Sequence, residues 1–156
     1  MSKVILMVVT AAIGMTACVS NQYQKPSNLR FQEKSLTNNQ IVLVKRDEKL
    51  CSGDTATHQK CAIDFYIDRI QAGNFYINNT AKYHLKSEVY NFKVKNCNTE
   101  SCFSCDVDVD VDVQKLNSHN FLLSVDGEGK PFILNDGQTL QCSNKSEPTQ
   151  TVVPQM

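Results

Sequence analysis

The stretch His58-Gln59-Lys60-Cys61-Ala62-Ile63-Asp64-Phe65-Tyr66-Ile67-Asp68-Arg69-Ile70-Gln71-Ala72 decides the fold class. Cys61, Phe65 and Ile70, with Ala62 and Tyr66 beside them, recur at helical spacing, and this predicts a helix over residues 58–72. Thr57 or Asp54 suits its N-cap, and Gly73 suits the position just past its end. Strand signals surround it. Ile41-Val42-Leu43-Val44 is a short apolar run, and Phe75-Tyr76-Ile77 a second, closed by an Asn78-Asn79 turn. Tyr90, Phe92 and Val94 alternate with Asn91, Lys93 and Lys95. Phe121 to Val125, the turn Asp126-Gly127-Glu128-Gly129 and Pro131 to Leu134 read as a hairpin. Asn135-Asp136-Gly137 is a further turn, with a last strand expected over 139–142.

From Cys105 to Val113 the alternation is strict. Asp106, Asp108, Asp110 and Asp112 fall on one face of an extended chain, and Val107, Val109, Val111 and Val113 on the other. One N-terminal helix on a curved antiparallel sheet of four to five strands gives an α+β domain braced by disulfides. That order is similar to the helix-then-sheet architecture of the cystatin-like and NTF2-like families, although no motif of either is present.

The chain has 156 residues, enough for one core. Its 16 basic and 16 acidic side chains cancel, so no global basic field exists for nucleic acid. No apolar run reaches the roughly 18 residues of a spanning helix.

Cysteine is the unusual residue. Seven are present, and an odd number in an exported chain calls for an explanation. Lys3 gives a short positive start, residues 4–15 form an apolar or small stretch broken only by Thr10, and Met15-Thr16-Ala17-Cys18 follows. Charge, short apolar run and small residues before a cut make the secretory signal pattern. The last four residues resemble the lipobox of bacterial lipoproteins, with Met15 in the place of the usual Leu. The resemblance implies removal of residues 1–17 and attachment of fatty-acyl chains, palmitate among them, to Cys18. With Val19 rather than Asp next, it implies the outer membrane of a Gram-negative cell. Acyl chains on one residue anchor a protein without any spanning helix.

Lipidation of Cys18 leaves Cys51, Cys61, Cys97, Cys102, Cys105 and Cys142, which suggests three disulfides. Cys51–Cys61 closes an easy short loop, and Cys97–Cys105 with Cys102–Cys142 would use the rest, although six cysteines allow fifteen pairings. Cys97, Cys102, Cys105 and Cys142 also have the chemistry of a thiolate zinc site, but an oxidising compartment favours bridges.

Residues 19–40 draw eleven of twenty-two positions from Asn, Gln and Ser, and read as a polar tether. Residues 143–156, with Pro148 and Pro154, read as a disordered tail. The folded domain is therefore expected over 41–142. The aspartate ladder is too spread to converge on calcium, and reads as a solvated face or an acidic surface for a cationic partner.

His58, His84 and His119 lie in no zinc-protease motif, and no Gly-x-Ser-x-Gly turn or glycine-rich phosphate loop occurs. Asp64 and Asp68 are carboxylates in search of a pocket. The asparagine sequons at Asn78 and Asn144 have meaning only in a eukaryotic secretory pathway. No cofactor, metal or catalytic residue is expected. The expectation is a non-enzymatic outer-membrane lipoprotein, periplasm-facing, binding or bracing another protein of the cell envelope. The alternative is a periplasmic inhibitor or immunity protein that plugs the basic cleft of a toxin or lysozyme-like enzyme with its acidic face.

Overall fold

The computed structural model describes residues 22–97, 101–106 and 110–142. Eleven strands run in the order β1 Gln40–Arg46, β2 Ile63–Ile67, β3 Ile70–Phe75, β4 Thr80–Leu85, β5 Val89–Tyr90, β6 Phe92–Cys97, β7 Cys102–Asp106, β8 Val111–Asp112, β9 Asn120–Val125, β10 Pro131–Asn135 and β11 Gln138–Thr139. The one helical element among the described residues is a 3-10 turn, Val113–Lys115.

The expected α+β class is therefore wrong, and the error lies in residues 58–72. Ile63, Phe65 and Ile67 are all fully buried while Asp64 and Tyr66 between them are not, which is the period of a strand. Asp68 and Arg69 both take positive φ, 48° and 68°, and turn β2 directly back into β3. Two consecutive positive φ values suit a tight hairpin turn, but Asn-Gly or Asp-Gly is its usual sequence. Asp-Arg conceals it. The likeness to helix-then-sheet folds falls with the helix.

Two sheets carry the core. One has the order β11-β10-β9-β1-β4, the other β3-β2-β6-β7, and β5 and β8 form a separate two-stranded ladder. Within the five-stranded sheet β1 runs parallel to β9 and antiparallel to β4. The sheets meet face to face through aromatic rings: Phe65 of β2 lies 5.6 Å from Tyr83 of β4, and Phe92 of β6 lies 5.1 Å from Phe121 of β9, edge to face. Val42, Val44, Leu123, Val125 and Ile133 complete the inner side of the larger sheet. The expected hairpin over 121–134 is present as β9 and β10, with Leu123 opposite Ile133.

The tether expected up to residue 40 is not free from Tyr23 onward. Ser27 exchanges both backbone hydrogen bonds with Asn74 on the edge of β3, and Arg30 N–H donates to the Ala72 carbonyl at 3.0 Å. The same segment then crosses to the other sheet, where the Phe31 carbonyl accepts from the His84 N–H at 2.8 Å and Gln32 Nε2 donates to the Lys82 carbonyl. Residues 23–32 thus strap together β3 and β4, one edge strand of each sheet. An exposed strand edge invites pairing with other chains, and the strap occupies both. Its polar composition concealed this role, because backbone groups make most of the contacts.

The uninterrupted strand expected from Cys105 to Val113 is also corrected. β7 ends at Asp106 and pairs with β6, whereas β8 begins at Val111 and pairs with β5 in another ladder. The final strand is shorter than expected: β11 is Gln138–Thr139.

Candidate functional site

The cysteines are the first site residues the structure places. Cys51–Cys61 forms as expected, with its Cα atoms 6.0 Å apart. The other two pairs differ from the expectation: they are Cys97–Cys102 and Cys105–Cys142. Strand register explains this. Cys97 and Cys102 are direct partners across β6 and β7, which brings their Cα atoms to 4.0 Å. Cys105, three residues on, faces the core, where Cys142 comes within 4.9 Å. Thiolates committed to bridges are not zinc ligands, and this pairing takes up all four of Cys97, Cys102, Cys105 and Cys142.

The Cys51–Cys61 loop is the most constructed feature at one end of the sandwich. The Asp54 carboxylate accepts from the backbone N–H groups of Lys60 and Cys61, at 3.1 and 3.0 Å, and so folds the loop on itself. Asn96, buried on β6, donates from Nδ2 to the Gly129 carbonyl at 2.6 Å and lies against Cys61 Sγ. One side chain thereby ties the disulfide loop to the β9–β10 turn. Between them is a cleft of about 280 Å³ lined by Lys60, Asn96, Phe103 and Glu128 among others. Its carboxylates are occupied: Asp54 by the loop amides, and Glu128 by Lys130 at 2.9 Å. Residue patterns gave no sign of Asn96, because a lone Asn between two strand residues carries no signal.

Arg46 is the largest fully buried side chain. It follows Val42 and Val44 on the inner face of β1. Its guanidinium donates to Asp47 Oδ1 and to the Lys49 carbonyl, both at 2.7 Å, while Nε has no partner. Burial pulls its pKa below the ordinary arginine value, against the opposing charges of Asp47 and then Asp54. Asp47 also accepts a short hydrogen bond from Ser124 Oγ. This cluster closes the core where β1 ends.

The described residues of the acidic ladder are divided between two strand pairings. Asp106 lies on β7, Asp112 on β8, Asp110 is exposed between ladders, and Asp108 falls outside the described residues. Asp112 caps the 3-10 turn through the Gln114 N–H and pairs with Lys115 at 2.9 Å. Those two contacts, Lys115 first, lower its pKa. Lys93 stands opposite Asp106 in the register of β6 and β7, and Lys95 opposite Ser104. Beside Asp110 and Asp112 runs an apolar groove of about 390 Å³, with Leu116, Phe121 and Leu140 in its wall.

The histidines are dispersed. His58 contacts the Thr57 hydroxyl in the disulfide loop, His84 lies on β4, and His119 precedes β9. The carboxylates Asp64 and Asp68 hold structure: Asp64 accepts from Gln71 and Asn74, and Asp68 from the Asn91 N–H at 2.8 Å. Among the described residues no cluster of three or more His, Cys, Asp or Glu side chains is arranged to hold a metal ion. Cys18 and the tail over 143–156 lie outside the described residues.

No family model, curated protein or solved structure matches the chain.

Proposed function

We propose that the protein is a lipid-anchored, non-enzymatic module of the outer membrane of a Gram-negative cell, facing the periplasm and binding another protein of the envelope. One observation carries this reading. The three bridges use six of the seven cysteines in the sequence, and the seventh is Cys18, at the end of the lipobox-like Met15-Thr16-Ala17-Cys18. A thiol kept out of the disulfide framework and placed after an apolar leader is in the position of a lipid attachment site. Three bridges in a domain of this size also fit an oxidising compartment.

The binding rather than catalytic role draws support from the commitments of the reactive groups. Each cysteine of the domain is bridged, and Asp54, Asp64 and Asp68 each satisfy structural donors. The test is Cys18→Ser in the full chain. The reading expects the variant to leave the membrane fraction, and crosslinking of the wild type in intact cells to return one recurrent envelope protein. Equal membrane retention of both forms would refute the anchor. Crosslinking that returns no recurrent envelope protein would refute the binding role.

A further inference from the structure

On β1, β9 and β10 the outward side of the five-stranded sheet carries apolar residues where a solvated sheet face is ordinarily polar, whereas β4 presents Thr80, Lys82 and His84 there. Leu43 of β1, Leu122 of β9, and Phe132 and Leu134 of β10 are each only half-buried, and Ile41 is 47% exposed. They lie on three adjacent strands, with Leu122 directly opposite Leu134. Strand alternation turns them away from the neighbours that build the core, Val42, Val44, Leu123 and Ile133. A contiguous apolar face of this kind marks an interaction surface.

Charge identifies what it meets. The charged residues at outward positions of β1, β4, β9 and β10 are Lys45 and Lys82, and each sits beside an apolar residue: Lys45 opposite Leu122, and Lys82 opposite Leu43. At the end of β1 the Asp47 carboxylate is taken up by Arg46 and Ser124, and the exposed carboxylates Glu48 and Asp136 lie in the loops beyond the strands. An apolar centre with lysines at its margin suits an anionic phospholipid surface.

The chain path places that surface nearby. The Tyr23 carbonyl accepts from Asn79 Nδ2 at 2.7 Å, and the next residue, Thr80, is Lys45's register partner at the corner of this sheet. Four residues separate Cys18 from Tyr23, so the five-residue step spans at most about 18 Å at ~3.6 Å per residue. Because the strap holds Tyr23 to the domain, the polar run up to residue 40 does not lengthen that reach.

We infer that the outward face of the five-stranded sheet lies on the anionic phospholipid surface of the membrane that holds Cys18; this rests on the lipoprotein reading above. The chain has no tryptophan, so Phe132→Trp supplies a single fluorophore on the face, with Leu134→Trp as its substitute if it fails to fold. Tyr66→Trp supplies a reference on the outward side of the other sheet. Full-length protein purified from membranes is weighed, then returned to phosphatidylethanolamine vesicles containing brominated phosphatidylglycerol. Phe132→Trp emission should shift to the blue and be largely quenched, and Tyr66→Trp emission should change little. Lys45→Glu with Lys82→Glu, or brominated phosphatidylcholine in place of the phosphatidylglycerol, should return Phe132→Trp to the level of the reference. Correct acyl mass with an unquenched Phe132→Trp overturns the docking alone, whereas a mass without acyl chains overturns the anchor reading on which it rests. A blue shift already present in detergent, together with a dimer mass by light scattering, would assign the face to a second copy and overturn the docking.

Discussion

Tyr83 Oη donates a 3.1 Å hydrogen bond to the Ala72 carbonyl, joining the edge strands of the two sheets through the core. The carbonyl is available because the register of β2 and β3 shifts between Phe65 and Tyr66, leaving Ala72 without a direct partner on β2. Arg30 N–H of the strap donates to the same oxygen. One bulged residue thus gathers β3, β4 and the strap.

Gly73, beside that bulge, has no room for a side chain. A Cβ there would stand 2.8 Å from Tyr83 Oη, 2.9 Å from Phe75 Cε2 and 3.0 Å from Leu29 Cδ2. Gly73→Ala is expected to destabilise the fold by ~1–3 kcal/mol, the usual cost of overpacking. Urea unfolding of the two proteins measures it. An unchanged midpoint would show that the rings move aside freely.

Burial raises the Tyr83 phenol well above its ordinary value of 10.0. The folded pKa lies above the unfolded one, so the stabilisation is fully present below about pH 10 and is lost as pH rises beyond it. Tyr66 and Tyr90 are raised by burial as well and act in the same direction. Denaturant midpoints should fall as pH rises above about 10. Tyr83→Phe should flatten that alkaline slope while costing ~1 kcal/mol at neutral pH for the lost hydrogen bond. An identical slope in the variant would remove Tyr83 from the effect.

The three bridges should differ in worth. Their sequence separations are 37 for Cys105–Cys142, 10 for Cys51–Cys61 and 5 for Cys97–Cys102. On the chain-entropy model these give about 4, 3 and 2 kcal/mol. Paired Cys→Ala variants unfolded in urea should rank in that order. A Cys97–Cys102 deletion that costs most would contradict the loop-closure account.

Arg46→Ala is expected to cost ~3 kcal/mol, because it removes two charge-assisted hydrogen bonds and leaves Asp47 without its principal counter-charge. Arg46→Lys should recover little, since one ammonium does not reproduce the guanidinium fork. Thermal unfolding of both variants checks this.

The sequence made some of these features plain and hid others for physical reasons. The β9–β10 hairpin was legible because Asp126-Gly127-Glu128-Gly129 is strong turn chemistry between two short apolar runs. The Cys51–Cys61 bridge was legible from its short loop. The β2–β3 hairpin was not: the eight apolar residues in fifteen fit a helix as well as two strands, and the backbone at Asp68 and Arg69 separates the cases. The remaining disulfides depended on register, which local pattern does not encode. The strap was hidden because its attachment runs through main-chain groups of Ser27, Arg30 and Phe31. The apolar outward face needed the strand order, which sets Leu43, Leu122 and Leu134 side by side.

The central claim is that Cys18 bears lipid while the other six cysteines are bridged. Intact mass of the protein extracted from membranes and alkylated without reductant tests it most directly. The account predicts loss of residues 1–17, an added mass of acyl chains on Cys18, and no alkylated thiol. A chain without acyl mass and with alkylated cysteines would contradict it.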